Sequence, residues 1–295
     1  MPTIKIQFTL FSAFYSPLIS TMSGGFLAEE GLDYEWSVSP PGKSAIDAVV
    51  AGDVHVCQTA LSQSFTYLNR GEEPPVKHFA QINEMDGFFV TGRDADPDFT
   101  WSKLEGSEVV MFGGGQPKAM FIYACHKAGI DFGKIKAITP GGAADIDKAF
   151  REGQGAYVQQ QGPFPQQLEK DGVGHIVAQA GPQIGPNGFS SLAATPEWLE
   201  TDMARAFTRA YRKTRAYMNE TPAAEIARAE KSFFPNTDED VLARCIETYQ
   251  ALGTWTPHLE ITEPAFEVTQ DVFQHFGTLE KRFRWDQVCC LPPEG

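Results

Sequence analysis

Ser44-Ala45-Ile46-Asp47-Ala48-Val49-Val50-Ala51-Gly52-Asp53-Val54-His55-Val56-Cys57 packs a helix, a stop and a strand into one short run. The apolar spacing predicts a short helix over residues 44–51. Gly52 ends it, and Val54 to Cys57 begins a strand. Upstream, Pro40-Pro41-Gly42 is a turn and Asp33 to Val38 alternates as a strand. Further upstream, Ser16-Pro17 opens a helix that runs to about Glu30, where Gly31 stops it. Residues 4–10 are the opening strand. The order is therefore β-α-β-α-β. Strands joined through helices imply a parallel sheet.

The same order returns downstream. Glu108 to Phe112 reads as a strand, Gly113-Gly114-Gly115 as a loop, and Pro117 to Lys127 as a helix ending near Gly129. Lys136 to Thr139 is a strand, Asp145 to Arg151 a helix, and Ala156 to Gln160 a strand. Ala45-Ile46-Asp47-Ala48-Val49 and Asp145-Ile146-Asp147-Lys148-Ala149 lie 100 positions apart. Two α/β units of similar architecture fit this better than a short-period solenoid. Phe88-Phe89-Val90-Thr91 and Phe189 to Ala194 are extended apolar runs, expected to be the strands that cross between the units. Pro196-Glu197-Trp198 then starts a helix-rich tail, with amphipathic helices over 205–217, 223–233, 238–252 and 263–276. The end, Cys289-Cys290-Leu291-Pro292-Pro293, reads as a loose tail or strap.

The net charge of −14 argues against nucleic acid and against adhesion to anionic lipid. No run reaches the ~18–20 apolar residues of a membrane span. The first ten residues alternate like a strand and do not form a signal peptide. The expected location is therefore cytoplasmic as the sequence stands, or periplasmic if a leader precedes it. The five cysteines have neither metal-ligand spacing nor an even disulfide framework, so no metal is expected.

The ordering resembles the type II periplasmic binding proteins, and within them the NMT1/THI5-like group. That group includes receptors for sulfonates, nitrate and thiamine-precursor pyrimidines. The resemblance rests on Gly25 to Leu32, on Ala45 to Val54, on Gly113-Gly114-Gly115-Gln116-Pro117, and on Ala204 to Asn219 with Arg205, Tyr211 and Arg215. It implies an α/β, two-lobed periplasmic-binding-protein type II fold with a helical C-terminal tail. Lobe I would comprise residues 1–88 and 190–295, and lobe II residues 89–189. It also implies capture of a small molecule, anionic or heteroaromatic, by hinge closure. The chain would serve an ABC-type permease or stand alone, with no cofactor. Two alternatives stay open: a ligand-sensing regulatory protein, or an enzyme on the same scaffold in pyrimidine or sulfinate chemistry. The Cys-Cys-Cys-Phe-Cys run of the fungal pyrimidine synthase is absent.

In open α/β sheets, ligands sit beyond the carboxyl ends of the strands. After the first strand come Phe14 and Tyr15, which offer a stacking wall or ordinary packing. After the third come Thr59 and Ser62, which offer hydroxyls to a ligand or cap the helix that follows. Gln159 and Gln161 flank Gln160 and alternate to one side, with amides suited to a ligand of mixed polarity. Gly114, Gly115 and Gln116 form a glycine loop running into a helix, where free N–H groups can hold an anion. Asn187 precedes the return crossing. Cys57 with His55 is the candidate nucleophile for the enzyme alternative, although free cysteines are usually buried. Lys43 and Lys118 are the candidate Schiff-base lysines, and Cys125-His126 reads as structural.

Overall fold

The computed structural model describes residues 1–40 and 42–294; Pro41, within the expected turn, lies outside the described residues. Two five-stranded sheets organise the chain. The first contains β1 (Thr3–Phe8), β2 (Asp33–Val38), β3 (Val56–Thr59), β4 (Lys77–Asn83) and β10 (Ser190–Ala194), in the order β2-β1-β3-β10-β4. The second contains β5 (Phe88–Gly92), β6 (Glu108–Val110), β7 (Lys136–Ile138), β8 (Tyr157–Gln161) and β9 (His175–Gln179), in the order β7-β6-β8-β5-β9.

The two orders are the same pattern. β1 pairs in parallel with β2 and β3, as β6 does with β7 and β8. Each sheet has one antiparallel strand, β10 in the first and β5 in the second. These two are the runs expected to cross between the units, and that expectation needs correction. Each is the strand laid down just after a crossing, fully inside its sheet. The crossings themselves are residues 84–87 and 180–189, one step earlier in the chain. They are tied together: Asn187 N donates to Glu84 O at 2.8 Å, and Ala180 N donates to Phe88 O at 2.9 Å.

The long helix expected over 16–30 is two, Ser16–Ser23 and Phe26–Glu29. Gly25 breaks it by taking φ of +79°, a region that glycine enters at little cost. The helix Asp202–Glu220 buries Arg215 completely. Its guanidinium donates to Ile82 O at 2.7 Å and to Thr256 O at 2.7 Å, which fastens the end of β4 to the loop after the helix Glu239–Ala251. Backbone carbonyls thus satisfy a buried cation.

The C-terminal segment is not loose. Cys289 is buried, Cys290 N donates to His78 O at 3.1 Å, and Lys77 Nζ holds the carbonyls of Asp286 and Gln287. Together with Gln81 N, which donates to Leu259 O, these contacts cover the outer edge of β4.

Candidate ligand-binding site

β1 and β3 run in parallel and end at the same rim, where β10 begins. Gln58 bolts the three ends together. Its Oε1 accepts from Thr9 N at 3.0 Å and Leu10 N at 3.3 Å, and its Nε2 donates to Ser190 Oγ at 2.7 Å. Thr9 Oγ1 donates to Gln58 O at 2.7 Å, and Ser190 Oγ to Thr59 O at 3.2 Å. This floor leaves a cavity of about 170 Å³ between the two sheets. Tyr15, Gln58, Thr59 and Ser62 line it from one side. Phe88, Gln116, Pro117 and Gln161 line it from the other, with Phe189 and Ser190 beside the return crossing.

Both sides are fastened across the gap. Ser12 Oγ donates to Gly162 O at 2.6 Å. Gly162 N donates to Tyr249 Oη at 2.7 Å, and Tyr249 Oη donates to Gly87 O at 3.0 Å. Nearer the cavity mouth, Ser62 Oγ donates to Gln116 Oε1 at 3.3 Å and Gln116 Nε2 donates to Phe189 O at 2.5 Å.

Of the residues singled out from the sequence, Tyr15, Thr59, Ser62, Gln116 and Gln161 meet at the cavity. Gln161 is 3% exposed, and neither its Oε1 nor its Nε2 has a partner. A buried amide with both atoms unsatisfied is costly unless something else completes it. Tyr15 keeps its proton well above the usual range, because burial and the nearby Asp86 carboxyl both disfavour the phenolate. It therefore presents a neutral hydroxyl. Burial pushes the Asp86 carboxyl itself up to about 7, partly offset by the bond its Oδ1 accepts from Phe88 N at 2.7 Å.

The other candidates lie elsewhere. Phe14 is fully buried beside the crossings, with its ring centroid 5.2 Å from that of Phe189 and 5.0 Å from that of Tyr249. It supports the wall without forming it. Gln159 lies on the same side of β8 as Gln161 but deeper, where its Nε2 donates to Pro117 O at 3.2 Å. Asn187 is buried and donates to Gly185 O at 3.0 Å, serving the crossing. Gly114 is exposed and Gly115 faces a neighbouring groove. The part of that loop that reaches the cavity is Gln116-Pro117, and proline has no N–H to give. Among the described residues no charged side chain lines the cavity.

The reading from sequence missed Phe88 and Phe189 as wall residues because it placed them in crossing strands. It also missed Gln58, whose function is set by partners 48 to 132 positions away. Cys57 is fully buried, and burial alone pushes its thiol up to about 12. His55 spends its Nδ1 on Lys5 N at 2.9 Å. No activating base is therefore in place. Lys118 Nζ reaches Gly113 O at 3.3 Å, Lys43 is exposed, and neither lines the cavity. The Cys125 thiol is likewise pushed up to about 12, and His126 stacks on His275 with ring centroids 4.2 Å apart. Among the described residues no group of three or more His, Cys, Asp or Glu is placed to hold a metal ion, and no helix is long and apolar enough to cross a membrane.

Residues 14–225 match the model of a family described as NMT1/THI5 like. "Putative binding protein YtlA" of Bacillus subtilis (strain 168) is 30% identical over 289 residues, which cover 97% of this chain and 86% of that one. A ligand-binding component of an ABC-type import system from Staphylococcus aureus, solved with zinc bound, superposes with a TM-score of 0.77 at 16% identity, covering 99% of this chain and 97% of that one. The alkanesulfonate-binding protein SsuA from Xanthomonas axonopodis pv. citri, bound to MOPS, superposes with a TM-score of 0.72 at 14% identity, covering 95% of each chain. At these identities the two structures establish the fold. The α/β periplasmic-binding-protein architecture expected from the sequence is borne out.

Proposed function

Given that this chain belongs to the NMT1/THI5-like family, we propose that it captures a small organic molecule in the cavity between its two sheets, as the solute-binding component of an ABC-type uptake system. The observation that carries the reading is the Gln161 amide, buried at the cavity wall with both polar atoms unpartnered. A bound molecule offering one donor and one acceptor would complete it. Phe88, Phe189 and Tyr15 supply flat apolar surface on either side. A wall without charge favours an uncharged ligand over a free anion, since an unpaired buried charge costs far more than a hydrogen-bonded neutral group. The heteroaromatic branch of the expectation is therefore preferred to the anionic one.

Two descriptions support the role: the curated relative is described as "Putative binding protein", and one structural neighbour is a ligand-binding component of an ABC-type import system. The lobes expected as residues 1–88 with 190–295, and 89–189, are proposed with their limits moved to the crossings at 84–87 and 180–189, so that Phe88 goes with β5, and they close about those paired crossings. A permease is the implied partner, and uptake places the chain outside the cytoplasmic membrane.

Native mass spectrometry of the protein with a library of uncharged heterocycles, cyclic amides and sulfonates tests the proposal. A one-to-one complex that releases the compound unchanged is the expected result. Conversion of a bound compound to product would replace capture with catalysis.

A further inference from the structure

An outer groove of about 230 Å³ adjoins the inner cavity. Ser62, Gln63 and Gln116 line both spaces. The side-chain contact between them is Ser62 Oγ to Gln116 Oε1 at 3.3 Å, with one partner from each sheet's half. That length is at the weak end for a hydroxyl bond. Both side chains are only half-buried, so Ser62 can turn to water when the contact opens, while the Gln116 amide stays bonded to Phe189 O. Beyond it, Phe65, Phe273 and Phe276 form an apolar wall, with Phe65 and Phe273 edge-on at 6.0 Å. Among the described residues the groove, like the cavity, has no charged side chain in its lining. The inner cavity alone is small against the roughly 300–1,000 Å³ of ordinary ligand sites. The two spaces joined would fall within that range.

We infer that the outer groove is the second half of the binding site. It takes an uncharged arm with an apolar or aromatic end, carried by the molecule whose compact head fills the inner cavity. The arm passes where Ser62 meets Gln116. The inference rests on the capture reading above and adds the shape of the captured molecule. Passage of the arm replaces one long side-chain contact by burial of apolar surface against three phenylalanines, an exchange that favours binding.

Disulfide tethering tests this whatever the natural ligand is. In a Cys290→Ser background the other native cysteines are buried, and Gln161→Cys places a thiol in the cavity wall, where only a reagent that enters the cavity can reach it. The introduced thiolate attacks the sulfenyl sulfur of a methanethiosulfonate, and methanesulfinate leaves. The probes are the methyl reagent and a series of phenylalkyl reagents of increasing length. The reductant concentration that half-releases each adduct measures how firmly it is held. The best phenylalkyl adduct is expected to need about tenfold more reductant than the methyl adduct. Phe276→Ala is expected to remove most of that difference. Equal values across the series would overturn the outer subsite and leave the inner cavity standing. Failure of even the methyl reagent to modify position 161 would sink the capture reading together with it.

Discussion

Gln159 and Gln161 sit two positions apart on one strand, yet only the second has nothing to bond. Gln159 spends its amide nitrogen on Pro117 O, while both polar atoms of Gln161 are buried and unpartnered. Gln161→Leu should therefore move two measurements in opposite directions. Thermal stability of the unliganded protein should hold or rise, by about 1–2 kcal/mol at most, because two unsatisfied atoms are removed. Affinity for the ligand should fall by about tenfold or more. Calorimetry on both variants checks this, and unchanged affinity would remove Gln161 from the site. Alternation placed the two glutamines on one side, but depth along a strand is set by the packed helix and has no local signature. Phe14 and Tyr15 show the same limit: neighbours in a tight turn point apart, and only Tyr15 reaches the cavity.

Glu230 is a second buried acid with a measurable consequence. Its carboxylate accepts from Ser16 Oγ at 2.7 Å and Ser20 Oγ at 2.6 Å, yet burial outweighs both bonds and lifts its pKa to about 8. The unfolded chain loses this proton near pH 4.3. From there to about pH 8 the folded state holds a proton that the unfolded state lacks, so stability must fall as pH rises. Asp86, lifted to about 7, adds to the same slope. The melting temperature should decline across this window, and Glu230→Gln should make the decline shallower. An identical slope in the variant would show that Glu230 titrates normally.

At the level of elements, the crossings decide how the two sheets stand. A Cβ on Gly87 would lie 2.1 Å from the Phe14 ring, and Phe14 in turn backs Phe189. Gly87→Ala must displace that ring. It should destabilise by about 1–3 kcal/mol in chemical denaturation, since overpacking a close-packed site forces neighbours off their minima. A neutral result would mean that the hinge packing is loose. Most of the parallel strands and intervening helices were legible because periodicity and glycine stops are local signals. β4 and β9 went unread, although β4 is nearly all buried. A strand buried on both faces loses the alternation that announces it. The C-terminal strap was misread for a related reason: the helix Trp285–Val288 is too short to show a period, and its anchor is β4, some two hundred residues earlier.

For the whole molecule, the bonds between the two halves fall into two kinds: short buried ones at the crossings, such as Ser12 to Gly162 and Gly162 to Tyr249, and weaker ones further out. Ser62 to Gln116 and the exposed pairs of Lys170 with Asp238 and Asp240 and of Arg244 with Glu169 join the second sheet's half to the first sheet's half and the C-terminal helices. Exposed ion pairs are worth about 0–1 kcal/mol each, so on the proposed capture reading the outer contacts yield first, the buried bonds at the crossings act as the pivot, and ligand contacts set the balance. Small-angle scattering should show a smaller radius of gyration with ligand than without. The most direct test of capture between the sheets is X-ray diffraction from crystals of the protein with a compound shown by native mass spectrometry to bind. Density between Tyr15 and Phe189, within hydrogen-bond distance of the Gln161 amide, is the predicted result. Ligand density anywhere else, with that cavity filled only by water, would contradict it.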